Sequence, residues 1–366
     1  MADQFRAATV MVPDPGSPFS ADLATIPASV CRRWFASGGS VRPLSQGGFS
    51  GAAVSLVEAG GERHVLKAFP AGTTRDRAQW VHSHLRRARV AGVVEVPAIR
   101  LLADGESVVE AEGRLWEMTA FVDGVATDRA SADQVMAAAR VLGRLHQTAA
   151  RLADRGESPA IAQRIEGAKR LLARPWSQLL ETAASGPSSA TRSIILPRLA
   201  TAAEASESGL RRWILPAIAG LEPLVVARQW VVRDVWSEHV LFSRANSQHV
   251  AGIIDFHAAG IDTPATDLAR LLGSWLDADS IPFPTWWSEG IASYETIAPL
   301  SVSERELVPF LAASGIVFGL DNWFRWTLEE DRQFASTAEV AARLDRLVRA
   351  LRPALGMLGR WAAERV

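Results

Sequence analysis

A two-part α+β fold, with a small antiparallel β lobe followed by a larger, mainly helical lobe, is what this sequence predicts, and three observations predict it. Between Val41 and Gly124, short runs rich in β-branched and alternating residues are broken by glycine-containing turn signals. From Ala132 onward, apolar residues recur at helical spacing, as in Val135, Ala138, Leu142 and Leu145. With 366 residues, 48% of them apolar, the chain can bury a large core as one bilobal body or two ordinary domains.

Taken in order, residues 1–20 carry Pro and Ser without periodicity and read as a loose leader. Residues 21–122 form the small lobe and residues 123–366 the helical one. In the small lobe, Ala53 to Val57 and His64 to Phe69 flank Gly60-Gly61, as the arms of a hairpin do. Ahead of them lies the glycine-containing loop Ser45-Gln46-Gly47-Gly48-Phe49-Ser50-Gly51. Arg75 to Val90 reads as a helix closed by Gly92, and Ser107 to Phe121 as two further strands ended by the turn Asp123-Gly124. Ala132 to Leu152 opens the helical lobe. Residues 161–221 read as a helical hairpin split at Ser185-Gly186-Pro187-Ser188-Ser189, and hairpins surround Asp234 and Asp255. Tryptophans concentrate after Asp267, where core packing is the expected use for most of them. There is no internal repeat or low-complexity tract.

Composition excludes several function classes. A net charge of −1 and a pI near 6.7 leave no basic stripe of the kind nucleic acid requires. Cys31 is the only cysteine, so no intrachain disulfide forms and no Cys/His zinc spacing exists, which fits a reducing, cytoplasmic setting. The start of the sequence has no charged-then-apolar signal pattern, and apolar stretches are expected to be interrupted well short of about 20 residues, so neither secretion nor membrane insertion is predicted. Arginine is used almost to the exclusion of lysine: Lys67 and Lys169 are the only lysines. A lysine kept in the apolar strand His64 to Phe69 points to a compact point charge on phosphate, against a snorkelling strand-edge residue as the bland reading.

The most informative stretch is Val232-Arg233-Asp234-Val235-Trp236-Ser237-Glu238-His239, followed by Ile253-Ile254-Asp255-Phe256-His257. Each of Asp234 and Asp255 sits in or at the end of an apolar run, where an unpaired carboxylate is costly. An internal ion pair between Asp234 and Arg233 is the structural alternative. Together with the glycine loop, the lysine strand, Trp116-Glu117-Met118-Thr119-Ala120-Phe121-Val122-Asp123-Gly124, Leu142-Gly143-Arg144-Leu145-His146 and Thr266-Asp267-Leu268-Ala269-Arg270, these segments resemble, over roughly residues 40–275, the aminoglycoside phosphotransferase and choline kinase-like family. That family's pattern is His-Gly-Asp, four residues, Asn, and later Ile-Asp-Phe or Ile-Asp-Trp. Here Val232 and Arg233 replace His and Gly, and His239 stands in place of the metal-binding Asn, which marks an atypical branch.

The resemblance implies a bilobal protein kinase-like fold and ATP-dependent transfer of a phosphoryl group to a small-molecule hydroxyl, a reaction that depends on positioning and charge neutralisation. It implies that Asp234 orients or deprotonates the hydroxyl. It also implies that Gly47, Gly48, Ser50 and Lys67 hold the nucleotide phosphates, that the backbone of Glu117, Thr119 and Phe121 meets the adenine, and that Asp255 with His239 binds Mg²⁺. Imidazole at position 239 opens the alternatives of Mn²⁺ preference, a single-metal site, a residue that holds Asp234, or lost catalysis. No Glu lies between Arg63 and Val94 to partner Lys67 from the following helix; His82 and His84 are there instead and are expected to be structural. His146 is expected to buttress the core, and Asp267 to cap or anchor the helix near Thr266 as an acceptor for free N–H groups and for the Asp234 loop. From Leu268 onward, 13 Asp/Glu against 10 Arg is too balanced to argue for a polycationic acceptor. Family relatives act on several acceptor classes, so the fold does not choose among them. The competing reading is a degenerate kinase-fold module that binds nucleotide or acts as a scaffold. A protein kinase is weaker still, because no Ala-Pro-Glu segment follows Asp255.

Overall fold

The computed structural model describes residues 28–45, 53–150, 154–184, 190–219, 225–277, 284–330, 332, 334 and 336–363. The chain separates into two compact units, Met1–Asp123 and Gly124–Val366.

In the first unit, β1 (Ser40–Ser45), β2 (Val54–Ala59) and β3 (Glu62–Ala68) lead into α1 (Arg75–Val90), and β4 (Val108–Ala111) and β5 (Arg114–Ala120) close the unit. They form one antiparallel sheet in the order β1-β2-β3-β5-β4. Gly60 and Gly61 adopt φ of 61° and 78°, the left-handed pair that a two-residue hairpin needs, which fixes the β2–β3 register. Apolar residues on one face of the strands, including Val57, Leu66, Trp116 and Met118, pack with Val30 and Cys31 into a single cluster. Helix α1 starts at Thr74, whose hydroxyl accepts from the Arg77 N–H, and buries Ala78, Val81, His82, Leu85 and Ala88. The loop carrying Gly47, Gly48, Ser50 and Gly51 lies outside the described residues.

The second unit is mostly helical, with three short strands sheeted in the order β10-β7-β6 and a β8–β9 pair. Its elements are α2 (Ala132–Gln147), β6 (Asp154–Glu157), α3 (Pro159–Ala173), α4 (Trp176–Ala184), α5 (Ala190–Gly209), α6 (Leu215–Ala219), β7 (Val225–Val231), β8 (Val240–Phe242), β9 (Val250–Ile253), β10 (Gly260–Asp262), α7 (Pro264–Gly273), α8 (Thr285–Glu295), α9 (Val302–Phe324) and α10 (Thr337–Ala363). The expected helical hairpin is thus a series of shorter helices, and its split at Ser185 to Ser189 lies outside the described residues.

Helix α9 corrects one expectation. The helical segment Val302–Glu329 is long and apolar enough, by length and composition, to cross a membrane, so the apolar stretches are not all broken early. It is consumed inside the unit instead: 72% of its apolar window is buried, with Leu307, Phe310, Leu320 and Phe324 among the core residues, as a helix apolar all round requires. Ser301 and Glu304 close its N-terminus as a reciprocal capping box. Helices α7 and α10 pack against it, and α7 is the element that carries the site.

Candidate functional site

The chain enters the site from β7, whose last residues are fully buried, and turns at Arg233. Arg233 has φ of 65° and Asp255 φ of 66°, two non-glycine residues in the left-handed region, each disfavoured by about 1 kcal/mol or more. Strain is kept only where the surroundings over-determine it, and they do so here. The buried Asp267 carboxylate takes the Val232 N–H on Oδ2 and the Arg233 N–H on Oδ1, each at 2.6 Å. Asp267 lies in the first turn of α7. The N-cap of that helix is Thr263, whose hydroxyl accepts from Ala265 N, so Asp267 anchors the Asp234 loop and does not cap the helix.

Behind Asp267, His146 Nε2 lies 3.0 Å from Oδ2, and Tyr294 Oη lies 2.7 Å from His146 Nδ1. A carboxylate only accepts, so Nε2–H donates to Asp267, and a neutral imidazole then accepts the Tyr294 O–H at Nδ1. All three side chains are buried. Burial, reinforced by the Asp267 charge, pushes the Tyr294 phenol well above its ordinary value, which keeps it a donor. His146 is the buttress the sequence suggested.

Asp234 is paired with Arg270 of α7, not with Arg233. Both Nε, at 2.9 Å, and Nη2 of Arg270 reach Oδ1. Oδ2 has no hydrogen-bond partner among the described residues, and the side chain is 27% exposed. Burial by itself would raise the carboxyl, but the Arg270 guanidinium and then His239 override it and hold Asp234 below the usual carboxylate range, with the Asp255 charge opposing them.

His239 joins the two carboxylates. Its Nδ1 donates to the Asp234 carbonyl at 2.6 Å, its own carbonyl accepts from Ile254 N at 2.9 Å, and its Nε2 lies 3.8 Å from Asp255 Oδ2. Asp255 Oδ1 meets His257 Nδ1. With Nδ1 committed as donor, Nε2 is the ring nitrogen that faces Asp255. No group of three or more His, Cys, Asp or Glu side chains able to hold a metal occurs among the described residues. One carboxylate oxygen and one imidazole fit a divalent cation that takes its remaining ligands from phosphates and water, and do not fit a closed protein cage.

Glu238, beside His239, pairs with Arg346 Nη1 at 2.6 Å and Arg343 Nη1 at 3.3 Å. Arg343 and Arg270 both stand over the Trp236 ring, at 4.0 and 4.4 Å, so α10 is tied to the Asp234 loop by charge and by cation–π contact. A cavity of about 280 Å³ adjoins Asp234 and is lined by, among others, Gln163, Arg164, Arg233, Thr266 and Arg270, all of the second unit.

In the first unit, Lys67 on β3 stands directly opposite Glu117 on β5. Residues opposite one another on antiparallel strands share a face, so Glu117 places a carboxylate on the same face of the sheet as Lys67. His82 of α1 lies 2.6 Å from Glu117 Oε2 through Nε2, which converts the helix position from an acid into a partner of the acid. Thr119 is paired with Val65, and the N–H groups of Ala120 and Phe121 are donated to the Ala98 and Arg63 carbonyls at 2.8 and 3.0 Å.

The residues that sequence reasoning missed are Arg270, Arg164, His257 and Tyr294. Arg270 lay inside a quoted motif and His257 beside Asp255; Arg164 and Tyr294 carried no local signal.

Comparison with known proteins follows the same outline. The model of the phosphotransferase enzyme family matches residues 40–302. Among curated proteins, a homoserine kinase of Beijerinckia indica subsp. indica is 26% identical over 227 residues, covering 61% of this chain and 61% of that protein; the chain thus spans about three-fifths of the length of this relative. Among solved structures, the aminoglycoside phosphotransferase of Alicyclobacillus acidocaldarius superposes with a TM-score of 0.58 at 14% identity, over 93% of this chain and 97% of that one. An amicoumacin kinase, hAmiN, in complex with AMP-PNP, Ca²⁺ and Ami gives 0.53 at 13% identity, over 84% and 87%. At these identities the structural likeness shows a shared fold.

Proposed function

The chain belongs to the phosphotransferase enzyme family, and on that premise we propose that it transfers the γ-phosphoryl group of ATP to a hydroxyl of a small molecule. The observation that carries the reading is the division of labour on Asp234: Oδ1 is fixed by Arg270, and Oδ2 has no hydrogen-bond partner among the described residues, in a side chain that lines a cavity. A hydroxyl donating to Oδ2 is held by an oxygen that cannot turn away. Because Asp234 sits below the usual carboxylate range, it is a weak base in the ground state. Its role is to orient the hydroxyl and to take the proton as bond formation acidifies it, which suits the loose transition state of phosphoryl transfer.

Lys67, opposite Glu117 in the sheet, holds nucleotide phosphates in this reading, as do the backbone groups of Gly47, Gly48 and Ser50. Asp255 and His239 would hold Mg²⁺ or Mn²⁺, which when bound neutralises phosphate charge. The cavity of about 280 Å³ lies at the lower edge of ordinary ligand sites, roughly 300–1,000 Å³, so the acceptor is small. Homoserine kinase relatives support a small hydroxyl acceptor of that size. The lone, buried Cys31 suits a reducing cytoplasm.

The test is thermal stability of wild type and Asp255→Ala with ATP plus Mg²⁺ and with ATP plus Mn²⁺. Binding to the folded state raises the transition temperature, and a rise that vanishes in the variant supports the site; a larger rise with Mn²⁺ assigns His239 as a ligand. Folded protein that shifts with neither metal would leave the degenerate-module reading in its place.

Arg270→Met gives a second check. Wild-type Asp234 is depressed, so activity requiring its ionised form persists to pH values below the ordinary carboxylate range. Without Arg270, burial governs and the carboxyl rises, so the acid limb of kcat/KM moves to higher pH. An unmoved limb assigns that ionisation to another group.

A further inference from the structure

Two helices hold the loop from Val232 to His239, and each takes different groups of it. Asp267 and Arg270 of α7 and Ser274 at its C-cap lie at i, i+3 and i+7, on one face of the helix. They bind the N–H groups of Val232 and Arg233, the Asp234 carboxylate, and the Ser237 N–H at 2.9 Å. Helix α10 takes the side chains on either side of Ser237. Arg343 stands 4.0 Å from the centre of the Trp236 ring and pairs with Glu238. Arg346, one turn further on, pairs with Glu238 and, at 3.3 Å, with Asp128. The family model ends at residue 302 and α10 begins at Thr337, so membership of the family does not by itself supply this second grip.

The grip is costly for Arg343. Its side chain is 15% exposed, and burial pushes its guanidinium below the ordinary value, with the Glu238 charge opposing. An arginine that served as a plain surface ion pair would stay in water. What burial achieves is a chain of contacts into the site: Arg343 meets Trp236, Trp236 meets Arg270 at 4.4 Å, and Arg270 fixes Asp234 Oδ1. On the other side of Ser237, Glu238 directly precedes His239, whose Nδ1 donates to the Asp234 carbonyl. Arg343 thus bears on the loop between the carboxylate that meets the hydroxyl and the imidazole that faces Asp255.

Resting on the kinase reading above, we infer that Arg343 is a positioning residue for phosphoryl transfer: through Trp236 and Glu238 it keeps Arg270 on Asp234 and fixes where Asp234 and His239 stand. Arginine suits the task because one planar guanidinium lies against an indole face and pairs with a carboxylate at the same time, whereas a lysine ammonium offers a point charge without the planar face.

The experiment compares the full chain with Arg343→Met, Arg343→Lys and Glu238→Gln in ATP and Mg²⁺, with water as the acceptor. Release of ADP gives kcat and KM for ATP, and hydrogen–deuterium exchange of peptides covering residues 232–242 reports the order of the loop without turnover. Arg343→Met is expected to lower kcat about 10–100-fold, the usual cost of misplacing a reacting group through its supporting contacts. KM for ATP should stay within about twofold of wild type, because nucleotide binding is not what is lost, and exchange in the loop should quicken. Arg343→Lys keeps a charge on Glu238 without the planar face and should recover part of kcat but not all of it. Glu238→Gln, at a side chain 44% exposed, gives the same readings with a smaller deficit and serves where Arg343→Met does not fold. Arg198→Met is the control: Arg198 of α5 pairs with Asp345 of α10 at 2.7 Å, so its loss loosens α10 away from the loop and should lower thermal stability while kcat is unchanged. The inference is overturned by wild-type kcat and exchange in both Arg343→Met and Glu238→Gln, by a deficit confined to KM, by an equal fall of kcat in Arg198→Met, or by full recovery in Arg343→Lys. Wild type that neither releases ADP nor shifts thermally with AMP-PNP and Mg²⁺ defeats the kinase reading instead, and loop exchange then still decides whether Arg343 holds the Asp234 loop.

Discussion

Asp234→Asn is expected to lower kcat by about 10²–10⁴-fold, the usual worth of a positioned group that manages a proton in the transition state, while the thermal shift with ATP and Mg²⁺ persists. The geometry explains the separation. Oδ1 is the atom bound to Arg270 and Oδ2 the atom left for the hydroxyl, so the amide faces a forced choice. If its oxygen stays with Arg270, an NH₂ group is presented to the hydroxyl and donates where it should accept. If it turns the other way, Arg270 loses its hydrogen-bonded charged partner among the described residues and the loop is loosened. Neither arrangement restores a charged acceptor for the hydroxyl proton. The measurement is turnover of the first acceptor found, together with the slow hydrolysis of ATP by water, which needs no acceptor. Retention of more than about a tenth of wild-type kcat would remove Asp234 from the reaction, because a variant with so small a deficit has lost less than the accepted contribution of such a group.

What made Asp234 and Asp255 legible in the sequence was contrast: a carboxylate at the end of an apolar strand has to be paired or used. Arg270, which sets the state of Asp234, was illegible for the complementary reason. It lies 36 residues downstream on a helix, and nothing local distinguishes an arginine that turns inward from the many that face water. The residue opposite Lys67 was hidden by register. Strand β5 follows β3 by some fifty residues, and which of its side chains stands opposite Lys67 depends on the ladder pairing Lys67 with Glu117, a single step of which would put the acid on the other face. The position of Arg233 was visible as a departure from the family's glycine, but its meaning was not. Only the backbone angle of 65° shows that this chain keeps an arginine in a left-handed turn, a conformation that glycine adopts without strain.

The fold was easier to read than the site. The β2–β3 hairpin follows from alternation and a Gly-Gly turn, and α1 from its spacing and the glycine after it, because these signals are local. The helical lobe was read as a class but not in its parts. Helix α9 is apolar on every side and carries Pro309 within it, so neither an amphipathic stripe nor a clean break marked it; its identity as the central helix comes from what packs around it.

Asp267→Ala is expected to destabilise the second unit by about 3–5 kcal/mol, the cost of removing one partner from a buried, charged network. Three donors converge on this carboxylate: the N–H groups of Val232 and Arg233, and His146 Nε2. With Asp267 and His146 both buried, water does not replace the lost acceptor, and each stranded donor bears its own desolvation cost. Asp267→Asn keeps the volume and one acceptor oxygen but turns an NH₂ toward at least one of the three donors, so its loss should be smaller than that of alanine yet still large. The left-handed Arg233 adds a diagnostic. If Asp267 holds the strained turn in place, adding Arg233→Gly to Asp267→Ala should recover about 1 kcal/mol, because glycine removes the strain that the carboxylate was opposing. Denaturant unfolding followed by tryptophan fluorescence measures all four proteins. A loss below about 1 kcal/mol for the alanine variant would mean that the two backbone N–H groups find other acceptors, and that the Asp234 loop is held by Arg270 and His239 without this anchor.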